Sequence, residues 1–129
     1  MRATAADGTA IAYRAWGRRD GEPLLLLGDV GMDARGWLLQ RGTLGRRHRL
    51  LAVDNRGVGG SDRPPGPYDL EVMAADALAV LDHAGYGSAH VMGLGMGGVL
   101  AQILAVQHPA KVRSLVLVAT ACPPTQCRR

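Results

Sequence analysis

The chain has 129 residues and a formal net charge of +4, and 47% of its residues are hydrophobic, 20% charged and 4% aromatic. This composition is ordinary for a globular domain, and the length predicts a single domain spanning residues 1–129. The arginines are scattered, aromatic residues are few and no base-reading motif is present, which argues against a nucleic-acid site. The aliphatic runs are too short to cross a bilayer and the first ten residues do not resemble a secretory signal. We therefore expect a cytoplasmic protein without membrane contact.

The apolar residues follow a strand period near the start of the chain and alternate between strand and helix patterns later. Thr9–Trp16 alternates in the two-residue period of a strand after an Asp7-Gly8 turn, so it is predicted to pair with Arg2–Ala5 in an antiparallel hairpin. From Arg49 onward strands and helices alternate, which predicts an α/β fold with a mostly parallel sheet of about six strands and flanking helices. The remaining predicted elements are, in chain order, a strand at Leu24–Leu27, a short helix around Trp37–Gly42, a strand at Arg49–Val53, a helix from the N-cap Asp69 to about Ala84, a strand at His90–Gly93, a helix at Gly97–His108 and a strand at Ser114–Ala119.

A run of glycines joins a predicted strand directly to a predicted helix. The segment reads His90-Val-Met-Gly-Leu-Gly-Met-Gly-Gly98. It matches the nucleophile-elbow pattern G-x-S-x-G except at its centre. Gly93 and Gly97 are the small flanking residues that let helix and strand approach closely, and Gly95 stands at the position of the nucleophilic serine. The segment therefore predicts an elbow without its nucleophile.

Other motifs occur in the order in which the α/β-hydrolase family has them. Asp54-Asn-Arg-Gly-Val-Gly-Gly-Ser-Asp62 resembles the family's D-x-R-G-x-G-x-S loop, and Gln107-His108-Pro109 with the strand after it resembles the passage that follows the elbow. From about Asp7 to Thr120 the chain thus resembles the N-terminal half of an α/β-hydrolase, and within the family it is most similar to small esterases and enol-lactonases. We interpret Asp54, Arg56 and Ser61 as residues that build the loop rather than as catalytic groups.

The resemblance implies an oxyanion hole and a catalytic triad, and the sequence departs from both. By position, the hole would use the backbone N–H groups of Val30 and Met96. The family usually has His-Gly where this chain has Gly28-Asp29, and a carboxylate there would oppose the charge that the hole should stabilise. The family's acid and base follow the elbow, but no Asp or Glu occurs in this sequence after Asp82. The single histidine after the elbow, His108, lies at the far end of a helix roughly 18 Å long at ~1.5 Å per residue.

These departures predict a truncated hydrolase domain that is catalytically impaired. We expect an α/β-hydrolase-fold protein of carboxylic ester hydrolase or lactonase ancestry, a pseudoenzyme whose ligand would be a small ester or lactone. The cysteines and histidines show no metal-ligand spacing, so neither a metal nor a cofactor is expected.

Two alternatives remain open at this stage. Gly93-x-Gly95-x-x-Gly98 also satisfies the dinucleotide-binding pattern G-x-G-x-x-G, although no acid follows at the end of the next strand to bind the ribose. The apolar strand Ser114–Ala119 would form an exposed sheet edge, which predicts a homodimer or a partner chain that covers it.

Overall fold

The computed structural model describes residues 1–122, so the last seven residues of the predicted 1–129 domain lie outside it. The described residues form six strands and three α-helices. The elements are β1 (Arg2–Thr4), β2 (Ala10–Gly17), β3 (Glu22–Leu27), α1 (Leu38–Leu44), β4 (His48–Val53), α2 (Leu70–His83), β5 (Ala89–Leu94), α3 (Met96–Gln107) and β6 (Val112–Val118), with 3-10 turns at Ala34–Trp37 and Pro109–Lys111.

The strands form one sheet in the order β1-β2-β4-β3-β5-β6. The β1–β2 and β2–β4 pairings are antiparallel, whereas β4, β3, β5 and β6 run parallel to one another. The predicted opening hairpin and the predicted, mostly parallel sheet with flanking helices are both confirmed. Because β3 and β5 are neighbours, the loops that follow them meet at the carboxyl edge of the sheet.

The leucine run of β3 is buried on both faces of the sheet. Leu25 and Leu27 pack into the cluster that contains α2 and α3, while Leu24 and Leu26 pack with Trp37 on the opposite face. Each fully buried leucine side chain contributes roughly 1.5–3 kcal/mol. An uninterrupted apolar run is therefore required here, because a polar side chain on either face of this strand would be buried.

The helix boundaries follow local capping groups. The Asp69 carboxylate accepts the Glu71 N–H at 2.8 Å and starts α2, and Gly85 just after it has a φ of +88°. The predicted short helix around Trp37–Gly42 is confirmed as α1 (Leu38–Leu44), and a 3-10 turn at Ala34–Trp37 that was not predicted leads into it. The 3-10 turn begins at Ala34 because the Asp33 carboxylate caps it by accepting the Arg35 N–H at 2.9 Å.

The loop after β4 is held by its own polar side chains. The buried Asp54 carboxylate accepts the N–H groups of Ala34 at 2.7 Å and Gly60 at 3.0 Å. The Ser61 hydroxyl donates to the Asp54 carbonyl at 2.5 Å and accepts the Ala12 N–H at 2.8 Å. These contacts agree with the loop-building interpretation of Asp54 and Ser61, because each one ties the loop to a neighbouring segment.

No helix within residues 1–122 is long and apolar enough to cross a membrane. The cytoplasmic location stays a prediction.

Candidate functional site

The turn between β5 and α3 has the backbone geometry of a strained elbow. Gly95 adopts φ +58° and ψ −120°, a conformation that side chains with a Cβ rarely adopt. Its N–H donates to the Val118 carbonyl at 3.0 Å, and its carbonyl accepts the Thr120 hydroxyl at 2.7 Å. The turn is thus anchored to β6, and a side chain at position 95 would stand at the carboxyl edge of the sheet.

The flanking glycines are required by close packing between α3 and the sheet. A Cβ on Gly97 would collide with the Leu27 carbonyl, and a Cβ on Gly93 would collide with the Gly97 carbonyl oxygen. A Cβ on Gly98 would lie 2.5 Å from the Thr120 side chain. Packing therefore accounts for each of these glycines without a nucleotide, and dinucleotide binding stays an untested alternative.

The carboxylate of Asp29 lies between the two backbone groups that the sequence assigns to the oxyanion hole. Its Oδ1 atom accepts the Val30 N–H at 2.8 Å and the Met96 N–H at 3.0 Å. The structure thus brings the Val30 and Met96 donors to a single oxygen atom. That oxygen belongs to the protein itself, so both predicted oxyanion-hole donors are already paired with a side chain of the chain.

Asp29 also fills the space that a side chain at the elbow would need. A Cβ built on Gly95 would collide with the Asp29 Cγ and Oδ1 atoms and lie 2.5 Å from Oδ2. The glycine at 95 and the aspartate at 29 are therefore sterically matched, because a residue with a Cβ at 95 requires the carboxylate to move away.

The electrostatic environment keeps this carboxylate charged. The pKa of Asp29 lies below its ordinary value of 3.8, first because the Met96 N–H donates to it and second because the Val30 N–H does. The Met96 N–H belongs to the first turn of α3, where the helix dipole favours a negative charge. The Asp29 carboxylate that accepts these two N–H groups is therefore ionised at neutral pH.

Within residues 1–122, the other groups expected of a hydrolase are not gathered at the elbow. His108 lies just beyond the last residue of α3, and its N–H donates to the Leu104 carbonyl at 2.8 Å. It is thus at the opposite end of the helix from Met96, as the helix length predicts. The sequence predicted that Asp29 would oppose an oxyanion, but it did not predict that the Asp29 carboxylate accepts both the Val30 and the Met96 N–H groups, because that contact depends on two loops meeting in space.

Comparison with known proteins gives a consistent result. The alpha/beta hydrolase fold family matches residues 30–127. A hydrolase from Pseudomonas aeruginosa superposes with a TM-score of 0.91 at 36% identity, over 96% of this chain and 48% of its own. The enol-lactonase from Burkholderia xenovorans superposes with a TM-score of 0.89 at 32% identity, over 94% and 47%. The 3-oxoadipate enol-lactonase 2 of Acinetobacter baylyi is 29% identical over 90% of this chain and 43% of its own.

The chain therefore spans a little under half the length of these relatives. The family match covers well over half of the chain, and the strand order, the elbow turn and the glycine packing agree with it. The chain belongs to the α/β-hydrolase-fold family.

Proposed function

We propose that this chain, of carboxylic ester hydrolase or lactonase ancestry, is catalytically impaired at its elbow. The observation that carries the proposal is the Asp29 Oδ1 atom, which accepts both the Val30 and the Met96 N–H groups. A carbonyl substrate would need these two donors for the negative charge that develops on its oxygen. While Asp29 holds them, neither an ester nor a lactone can be polarised at this position.

The missing nucleophile supports the same proposal. Gly95 has no side chain to attack a carbonyl, and the carboxylate beside it is held as an acceptor by two N–H groups. Nucleophilic catalysis needs an attacking group together with a base that removes its proton. The pairing of Asp29 with Gly95 thus removes two requirements at once, the attacking group and the free hole.

The proposal is tested by measuring the rates of ester and lactone hydrolysis in wild type and in variants with a changed elbow. The substrates are a p-nitrophenyl ester and a simple lactone, and the variants are Gly95→Ala and the control Gly87→Ala. A Cβ at 87 meets nothing within 4 Å, whereas a Cβ at 95 collides with Asp29. We expect the rates of wild type and both variants to agree within about twofold, since replacements away from working catalytic groups change little. A loss of tenfold or more in Gly95→Ala alone would show that the elbow works as a catalyst.

A second proposal concerns the sheet edge formed by β6. Val116, Leu117 and Val118 are 44%, 40% and 43% exposed, and β6 is the last strand of the sheet in residues 1–122. Apolar edge strands readily pair with another strand. These observations support a homodimer in which two copies pair along β6.

Light scattering coupled to size-exclusion chromatography tests the dimer. We expect wild type to elute at twice the monomer mass and Val116→Lys to elute as a monomer, because a charged side chain on an edge strand opposes pairing. Val106→Lys is the matched control, since Val106 is 62% exposed on α3 and lies outside the edge strand. A wild-type monomer at all concentrations, or a dimer that Val116→Lys leaves intact, would contradict the proposal.

A further inference from the structure

A second group of polar side chains lies on three adjacent strands, away from the elbow. The Ser114 hydroxyl on β6 is 2.6 Å from Nδ1 of His90 on β5. On the other side of the same ring, Nε2 of His90 is 3.1 Å from Oε2 of Glu22 on β3. A hydroxyl, an imidazole and a carboxylate are thus joined in one chain of hydrogen bonds. The order of the three groups matches that of a serine, its base and the acid that orients the base, with the two ring nitrogens exchanged: here Nδ1 faces the serine and Nε2 faces the carboxylate.

The sheet register explains why these three side chains meet. His90 is paired with Ser114 across β5 and β6, and with Leu24 across β5 and β3. Glu22 is two residues before Leu24, so it lies on the same face of the sheet. All three groups sit near the beginnings of their strands, whereas the elbow follows the end of β5. The cluster therefore lies at the amino-terminal ends of the parallel strands, whereas the elbow lies at their carboxyl-terminal ends.

The hydrogen bonds define the role that each ring nitrogen can take. Nδ1 accepts the Ser114 hydroxyl proton only if Nε2 carries the ring hydrogen, and Nε2 then donates to the Glu22 carboxylate. The pKa of Glu22 is lowered, first by its hydrogen bond to His90, and the Arg113 guanidinium 3.4 Å away acts in the same direction. An ionised Glu22 holds the ring in the orientation that leaves Nδ1 free to take the serine proton.

The hydroxyl is reachable from solvent. Ser114 is exposed, the His90 side chain is 25% exposed and the Glu22 side chain is 63% exposed. The His48 ring packs edge-on against His90 with centroids 6.0 Å apart, which restricts the His90 ring further. A small electrophile can thus approach the Ser114 oxygen while the base behind it stays oriented.

We propose that Ser114, His90 and Glu22 form a second serine centre, which accepts acyl or phosphonyl groups from small activated esters or fluorophosphonates. In the transfer step the Ser114 Oγ forms a bond to the carbonyl carbon or phosphorus, and its proton passes to Nδ1 of His90. The bond to the leaving group breaks, and the leaving group departs with the electron pair. Water then hydrolyses an acyl group from Ser114, whereas a phosphonyl group stays attached.

This centre is independent of the elbow, since it shares no residue with Asp29 or Gly95. It acts on the same broad class of reagent as the family's esterases, but at the opposite ends of the parallel strands from the elbow. The peptide that carries the covalent group therefore distinguishes the two sites, whatever the outcome at the elbow.

Labelling with a fluorophosphonate probe, followed by intact-mass and peptide mass spectrometry, tests the proposal. We expect one adduct per chain, on the peptide that contains Ser114, and its loss in Ser114→Ala. His90→Gln should slow labelling at least tenfold because it removes the base, and Glu22→Gln should slow it severalfold because the ring is less firmly oriented.

Ser88→Ala is the matched control, since the Ser88 hydroxyl is also on the surface but accepts the Arg113 guanidinium at 2.8 Å instead of facing an imidazole. This variant should label at the wild-type rate. Circular dichroism establishes that each variant is folded. The proposal is overturned if Ser114 takes no label, if Ser88 labels as fast as Ser114, or if folded His90→Gln labels at the wild-type rate.

Discussion

Replacing Arg56 with alanine is expected to lower the free energy of unfolding by about 3–5 kcal/mol, the range for breaking a buried ion pair by removing one partner. The Arg56 and Asp76 side chains are only 6% and 3% exposed. The guanidinium donates twice to the Asp76 carboxylate, from Nε at 2.7 Å and from Nη2 at 2.8 Å. Without Arg56 the carboxylate would be left charged, or forced to take up a proton, in a site with little water.

The loss should be large because Arg56 joins three separate segments. Besides Asp76 on α2, it donates from Nη1 to Asp7 in the opening hairpin at 3.0 Å, and Arg56 itself belongs to the loop after β4. The pKa of Asp7 is held well below its ordinary value, mainly by this hydrogen bond, and the pKa of Arg56 is raised, mainly by Asp76. The Asp7 carboxylate and the Arg56 guanidinium are therefore charged at neutral pH, whereas burial raises the pKa of the Asp76 carboxyl and its hydrogen bonds from Arg56 oppose that rise.

Urea unfolding followed by circular dichroism measures the effect. The control is Arg2→Ala, which removes an ion pair to Asp62 whose two side chains are 54% and 50% exposed. Exposed pairs contribute roughly 0–1 kcal/mol, so the control should change stability little. The double variant Arg56→Met with Asp76→Leu should recover most of the loss, because an apolar pair carries no desolvation cost. A loss in Arg56→Ala no larger than in Arg2→Ala would contradict the prediction.

The fold could be predicted because its signals are local. The alternation of Thr9–Trp16, the uninterrupted run at Leu24–Leu27 and the N-cap Asp69 each depend on residues close in the chain, and the structure confirms them within one or two residues. The short helix itself was predicted, but the 3-10 turn before it was not, since that turn depends on Asp33 and on the Asp54 carboxylate from a distant loop.

The candidate site could be predicted only in part, because its properties arise between segments. Gly95, Val30 and Met96 could be named from the elbow motif, but nothing local shows that the side chain of Asp29 reaches across to α3. The cluster of Ser114, His90 and Glu22 carries no motif, since its members are 24 and 68 residues apart along the chain and meet only through the strand register.

The two unusual residues at the elbow are best understood together. The family pattern has glycine at the position of Asp29 and a serine side chain at the elbow. Here the side chain projects from position 29, and Gly95 at the elbow has none. The Asp29 carboxylate occupies the volume that the absent side chain leaves. Restoring one position without the other should therefore produce a collision or an empty space, not a hydrolase.

The combination of Gly95→Ser with Asp29→Gly measures this dependence. Gly95→Ser alone should cost about 1–3 kcal/mol of stability, because a residue with a Cβ is strained at φ +58° and because the exposed Asp29 carboxylate has to move away from that Cβ. In the Asp29→Gly background the contact with the carboxylate is gone, whereas the backbone strain at φ +58° remains. The cost of Gly95→Ser should therefore fall by at least about 0.5 kcal/mol, the lower end of the interaction free energies between contacting residues. Gly87→Ala, placed in both backgrounds, should be additive within roughly 0.3–0.5 kcal/mol.

Hydrolysis and pH complete the same experiment. Neither Gly95→Ser nor the double variant should hydrolyse a p-nitrophenyl ester through the elbow, because the histidine that follows the elbow, His108, lies at the far end of α3 and cannot act as base for the introduced hydroxyl.

The folded pKa of Asp29 is depressed, so its stabilising effect is present above its unfolded pKa near 3.8 and disappears as the pH falls through the lower folded value. The destabilisation caused by Asp29→Gly should accordingly be fully present at pH 7 and shrink as the pH falls below the ordinary value of 3.8. Additive costs would show that Asp29 and Gly95 are independent, and turnover in Gly95→Ser well above the wild-type rate would show that the elbow can act as a catalyst despite Asp29.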